Sequence, residues 1–208
     1  GRGMAGLAGV LQHDFDTIAP DLPGHGRSAS RAAAPGYSFD ACVDDLVATL
    51  EATGHRSAHW LGYSMGARLA LACAVRHPSR VTSLVLLAGR AGIADPGERA
   101  ARRRADEALA ARIEEHGVEA FVDEWLAQPL FATLERLGPE FMARERTARL
   151  ANDARGLASS LRVLGPAAQP PLFDALPRVH VPVLLVAGAL DERFVAAANE
   201  LARCLPSA

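Results

Sequence analysis

The feature that most limits what this chain can fold into is the pentapeptide Gly62-Tyr63-Ser64-Met65-Gly66. A short apolar run, Ala58 to Leu61, precedes it, and a helical pattern follows it as far as Arg76, ending at His77-Pro78. A G-x-S-x-G between a strand and a helix demands a very sharp turn. Residues two before and two after the serine must then be small, because larger side chains would collide with neighbouring backbone. Such a turn lifts the Ser64 hydroxyl out at the C-terminal edge of a sheet. The helix N-terminus beneath it offers N–H groups to a developing oxyanion, with that of Met65 best placed. The pentapeptide alone also occurs by chance, so its weight comes from its flanks.

The rest of the chain alternates apolar runs with helical periods, which predicts an α/β protein with a parallel sheet. Strands are expected at Asp16–Pro20, Ala58–Leu61, Val81–Ala88 and Val181–Ala187. The segment Asp21-Leu22-Pro23-Gly24-His25-Gly26-Arg27-Ser28 reads as a turn-rich loop. Ser38 to Thr53 predicts a helix capped by Ser38 or Asp40 and stopped by Gly54, and Phe194 to Cys204 predicts a last helix. Between Asp95 and Gly165 no strand pattern occurs, only Ala/Arg/Glu-rich helical stretches broken at Gly117, Pro129 and Gly138-Pro139. The expected organisation is therefore a core half at 1–94, a helical cap at 95–165 and a second core part at 166–208.

Composition excludes several classes. With 22 basic against 24 acidic residues the formal net charge is −2, which is wrong for a nucleic-acid surface. No apolar stretch reaches the ~20 residues of a membrane span, and no leader pattern opens the chain. Cys42, Cys73 and Cys204 are dispersed in apolar helical patterns and read as buried thiols of a reducing compartment, the cytoplasm. There is no lysine, so Schiff-base and P-loop chemistry are excluded. No His/Asp/Glu cluster has metal-ligand spacing and no phosphate loop follows a strand, so neither metal nor cofactor is expected.

A serine of this kind needs a base and an orienting acid, in the chain order Ser, Asp or Glu, His. Asp191, four residues beyond Ala187, is the candidate acid; capping the final helix is its alternative role, and the two can coexist. The seven histidines (13, 25, 55, 59, 77, 116 and 180) all precede Asp191. His25 lies in a loop that reads as packing, while His59, His77 and His180 read as structural. Strands expected ahead of Asp16 are also missing, with Gly1-Arg2-Gly3 as the tail of a His-Gly oxyanion loop. The expectation is a fragment of a longer α/β-hydrolase-fold protein, nearly inactive without its histidine.

The motifs Asp21-Leu-Pro-Gly-His-Gly-Arg-Ser28 and Gly62-Tyr-Ser-Met-Gly-Ala-Arg68 resemble those of the 2-succinyl-6-hydroxy-2,4-cyclohexadiene-1-carboxylate synthases, the α/β-hydrolase-fold lyases of menaquinone biosynthesis. In the cap, Glu98 to Asp106, Phe121-Val-Asp-Glu-Trp125, Pro129-Leu-Phe131, Arg149-Leu-Ala-Asn152, Gly156 to Arg162 and Gln169-Pro170 follow the family in order and spacing, as does Asp191-Glu-Arg-Phe194. The resemblance implies elimination of pyruvate, with serine, histidine and aspartate acting together as a base, and a small carboxylated substrate as partner. It implies substrate binding by Tyr63, Arg68, Arg102, Trp125 and Arg149, with Arg103 and Arg146 as close alternatives. Arg68 stands one turn beyond Ser64 on the same helix face, and guanidinium forks match carboxylates at two points. Leu87-Ala88-Gly89-Arg90-Ala91-Gly92 departs from the family, which usually carries Ser-Pro-Gly there. Two other readings stay open: a serine esterase or carbon–carbon hydrolase with a helical cap, and a non-catalytic relative of the fold. The sequence does not specify an oligomeric state.

Overall fold

The computed structural model describes residues 4–208, so Gly1-Arg2-Gly3 and their expected place in an oxyanion loop lie outside the described residues. The chain forms two compact units. One comprises Ser38–Arg104 and Leu164–Ala208; the other comprises the residues up to Tyr37 and Ala105–Val163.

The first unit is built on a parallel sheet of β1 (Ala58–Tyr63), β2 (Val81–Leu87) and β3 (Val183–Val186), in that order. Register is set by Tyr63 opposite Leu87 and Leu87 opposite Val186, so β1, β2 and β3 end level at one edge. Helix α2 (Phe39–Ala52) opens on Ser38, whose hydroxyl accepts the Ala41 N–H at 3.2 Å, and closes before Gly54 at φ +87°. Helix α3 (Met65–Arg76) is buried continuously from Ala67 to Ala74. A helix apolar all round is one covered on all sides, and its four alanines let it lie close to β1 and β2 while α2 packs against it. Leu69, Leu71, Leu84, Leu86, Leu176 and Leu201 are fully buried in this core. Cys42 and Cys73 are completely buried there, and burial pushes the Cys73 thiol up to about 12; Cys204 is only partly buried.

Residues 16–20 do not form the expected strand, and their side chains are exposed. A strand of a covered parallel sheet needs apolar cover on both faces, and Asp16-Thr17-Ile18-Ala19-Pro20 offers only scattered apolar side chains with a proline at its end.

The second unit contains α1 (Ala5–Leu11) and a helical array. The long helix α4 (Pro96–Leu126) begins in the first unit and enters the second after Arg104; it breaks at Gly117, where φ 81° and ψ 176° suit glycine alone. A 3₁₀ segment Pro129–Leu137 follows, then α5 (Pro139–Leu150), starting after Gly138 at φ 86°, and α6 (Ala154–Leu164). All the helix breaks expected from glycine and proline are present. Arg162 of α6 grips α4 with both forks of its guanidinium, reaching Glu107 at 2.8–3.1 Å and Glu114 at 2.7–2.9 Å.

The Asp21–Ser28 loop rests on the α5–α6 junction. The Gly26 N–H donates to Asn152 Oδ1 at 3.1 Å, and at Gly24 (φ +86°) a Cβ would overlap the Gly156 carbonyl and Ser160. His25 is half-buried in this loop with Nδ1 3.3 Å from the Pro23 carbonyl. Burial outweighs that contact and the nearby Asp21 charge, so its pKa lies below 6.5. The unfolded chain then binds the proton more tightly than the folded one, and stability falls as pH drops from 6.5 towards the lowered value. Urea midpoints at pH 7.5 and 5.5 are expected to differ in that direction, and His25→Gln is expected to remove most of the difference. Asp44, Glu107 and Glu114 act lower, because their ordinary values are 3.8 to 4.5 and their partners push them down further.

Candidate active site at the strand ends

Ser64 joins β1 to α3 with φ 52° and ψ −107°, a conformation that L residues rarely adopt. Its N–H donates to the Leu87 carbonyl at 2.8 Å, which ties the elbow to the end of the neighbouring strand. The steric demand of the turn falls on one glycine only. A Cβ at Gly62 would overlap the Gly66 carbonyl and the Ala67 nitrogen, whereas a Cβ at Gly66 would meet nothing within 4 Å. Met65 is the first residue of α3, so its N–H belongs to the unpaired first turn that faces the serine's edge. Tyr63 is 53% exposed beside it.

Asp191 follows β3 at the same edge. Two strand spacings separate it from the serine's strand, about 10 Å, a gap that an imidazole between them spans. Its carboxylate accepts the Phe194 N–H at 3.2 Å and caps α7 (Glu192–Cys204), so it carries a structural role whatever else it does. Within this unit the histidines stand at the opposite edge. His59 is the second residue of β1, paired at 2.7 Å with Ser83; His77 ends α3, about 3.6 turns from Ser64; His55 and His180 precede β1 and β3. Parallel strands put all four away from Ser64.

Arg68 departs most from the simple picture. It is only 6% exposed, and its guanidinium donates to the carbonyls of Leu164 (2.6 Å) and Gly165 (3.3 Å), 5.9 Å from the centre of the Phe39 ring. A cation there satisfies the carbonyl end of α6. Arg68→Met is expected to destabilise the fold by about 1.5–3 kcal/mol, the range for hydrogen bonds to a charged group; thermal or urea unfolding checks this. Sequence spacing gave no sign of this bond, because its partners are main-chain atoms 96 and 97 residues away.

Arg102, also in the first unit, is partly buried on α4, and its neighbour Arg103 donates to the Ala167 carbonyl at 3.0 Å. Trp125 and Arg149 belong to the helical unit. Trp125 packs between Phe121 and Phe131, both rings tilted against it, with centroids 5.6 and 5.7 Å away. Arg149 is paired with Glu145 at 2.5 Å, and Arg146 with Asp123 and Glu119 at 2.7 and 2.8 Å. Among the described residues no group of His, Cys, Asp and Glu could hold a metal ion, and no helix is long and apolar enough to cross a membrane.

A parallel sheet with a strained serine at its C-terminal edge and a carboxylate two strands away is the frame of an α/β hydrolase, and residues 4–207 match the family model described as alpha/beta hydrolase fold. A Bacillus subtilis (strain 168) chain bearing the name "Putative 2-succinyl-6-hydroxy-2,4-cyclohexadiene-1-carboxylate synthase" is 38% identical over 93% of this chain and 71% of its own length. The 2-succinyl-6-hydroxy-2,4-cyclohexadiene-1-carboxylate synthase from Enterobacter sp. (strain 638) is 33% identical over 93% and 72%. The solved structure of MenH from S. aureus superposes with a TM-score of 0.91 at 31% identity, covering 99% of this chain and 77% of that one. A thermophilic esterase from Thermogutta terrifontis, solved with malate bound, gives 0.78 at 27% identity, covering 96% and 71%. The chain belongs to the 2-succinyl-6-hydroxy-2,4-cyclohexadiene-1-carboxylate synthase family of the α/β-hydrolase fold.

Proposed function

We propose that this chain catalyses the carbon–oxygen lyase step that its relatives' name describes, eliminating pyruvate from a carboxylated cyclohexene to give 2-succinyl-6-hydroxy-2,4-cyclohexadiene-1-carboxylate in menaquinone biosynthesis. The observation that carries the reading is the strained Ser64 elbow in a chain 38% identical to a relative of that name. Ser64, acting together with Asp191 and a histidine, takes a proton from the ring carbon. The electron pair forms the ring double bond, the carbon–oxygen bond breaks, and enolpyruvate leaves to become pyruvate. The Met65 N–H and the first turn of α3 hold the oxyanion that builds up. Arg102 and Arg149 bind substrate carboxylates, Trp125 and Tyr63 line the ring, and Arg68 holds the carbonyls of Leu164 and Gly165. The boundaries 95–165 mark the cap in this proposal, and the cytoplasm is its compartment, in keeping with the buried thiols of Cys42 and Cys73.

The esterase reading keeps one specific observation in its favour, the fold match to the Thermogutta esterase. Two assays on the full reading frame that contains this chain separate them. Pyruvate release from the cyclohexene precursor, with little cleavage of p-nitrophenyl esters, is the expected result. Ester cleavage without pyruvate overturns it.

A further inference from the structure

A cavity of about 340 Å³ opens beside α7, lined by Arg90, Arg193, Arg203, Glu200, the Phe194 ring and two alanines. Ser64 and Asp191 do not line it. Three guanidiniums face one carboxylate here, and among the described residues none of the three forms an ion pair.

Arg90 is the central group, because its backbone is held from several sides. The Ala88 N–H donates to the Val186 carbonyl at 2.9 Å, and Ala88 itself sits at φ 50°. The fully buried Gln169 donates Nε2 to the Arg90 carbonyl at 3.2 Å, and the Leu172 N–H donates to the Ala91 carbonyl at 2.8 Å. At Gly92 (φ +108°) the loop passes so close to Pro170 and Pro171 that a Cβ would press on them. A flexible surface arginine needs no such frame. The Arg90 side chain is half-buried, and burial together with the charges of Arg193 and Arg102 lowers its pKa despite Glu98 and Glu200. An anion entering the cavity relieves that repulsion and replaces the lost water.

We propose that this cavity is a second binding site, taking a carboxylate carried on a short apolar stem between Arg90 and Arg193. The planar guanidinium forks match a carboxylate at two points. The Phe194 ring and the alanine methyls supply an apolar wall, which favours an organic acid over a bare oxyanion.

Titration calorimetry with glutarate on the protein of the full reading frame tests this, with glutaramide and inorganic phosphate as comparison probes at matched ionic strength. Glutarate is expected to bind at least ten-fold more tightly than either. Arg193→Gln, an exposed change that leaves the core alone, and Arg90→Gln are each expected to weaken glutarate about ten-fold or more, the scale of one lost charge-assisted hydrogen bond. Glu200→Gln removes the competing carboxylate and is expected to tighten it. Affinity unchanged in Arg193→Gln and Glu200→Gln overturns the proposal. So does affinity lost in Arg149→Gln but kept in Arg90→Gln, which assigns the binding to the substrate residues. Phosphate binding as tightly as glutarate overturns the organic-acid assignment.

Discussion

Ser64→Ala is expected to lower pyruvate release by at least about a thousandfold while leaving the unfolding midpoint almost unchanged. Removing a catalytic serine that acts in one unit with its base costs about 10³–10⁶ in rate in enzymes of this logic. The hydroxyl is not part of the elbow's hydrogen bonding, which uses the Ser64 N–H to Leu87 and the Ser64 carbonyl to Arg68. Alanine has the same backbone restriction as serine at φ 52°, so the strain stays. Ser64→Gly separates the two effects, because it removes the hydroxyl and the Cβ together. Strain at such a conformation is worth about 1–3 kcal/mol. Ser64→Gly is therefore expected to be as inactive as Ser64→Ala but more stable by about 1 kcal/mol or more, measured by urea unfolding. Activity surviving in both variants removes Ser64 from the reaction.

Gly62→Ala is expected to cost about 3 kcal/mol or more and to leave little folded protein at 37 °C. The new methyl would overlap the backbone of Gly66 and Ala67, and backbone cannot swing aside as a side chain tip does. Against a total stability of about 5–15 kcal/mol this is a large fraction. Gly66→Ala gives the internal comparison. Its methyl meets no neighbouring atom within 4 Å, and alanine is better than glycine inside a helix by about 0.5–1 kcal/mol. Two glycines of one motif are thus expected to respond with opposite signs, read from the same denaturation curve.

That contrast also shows what the sequence could and could not convey. The elbow was legible because a strand-to-helix turn around serine leaves few choices, and local spacing carries the whole constraint. The helix breaks at Gly117 and Gly138 were legible for the same reason: a positive φ needs glycine. Which of the two elbow glycines is indispensable was hidden, since that depends on where the helix backbone returns. The strand expected at Asp16–Pro20 failed because a strand is a property of its neighbours and its cover, and five residues of mixed pattern specify neither. Arg68 was placed one turn from Ser64 correctly, but its hydrogen bonds to Leu164 and Gly165 depend on a fold-back no spacing encodes. Family resemblance supplied the chemistry that elbow geometry leaves open, since the same turn serves esterases and lyases.

The unequal burial of the three cysteines makes the chain its own unfolding gauge. Cys42 and Cys73 are sealed in the core, with the Cys73 thiol pushed up to about 12, while Cys204 is reachable at the end of α7. A maleimide dye added to folded protein marks one position, and the second and third dyes attach only when the core opens. Counting labels per molecule over time therefore reports how often the whole sheet comes apart, with no engineered residue and no lysine to confuse the chemistry.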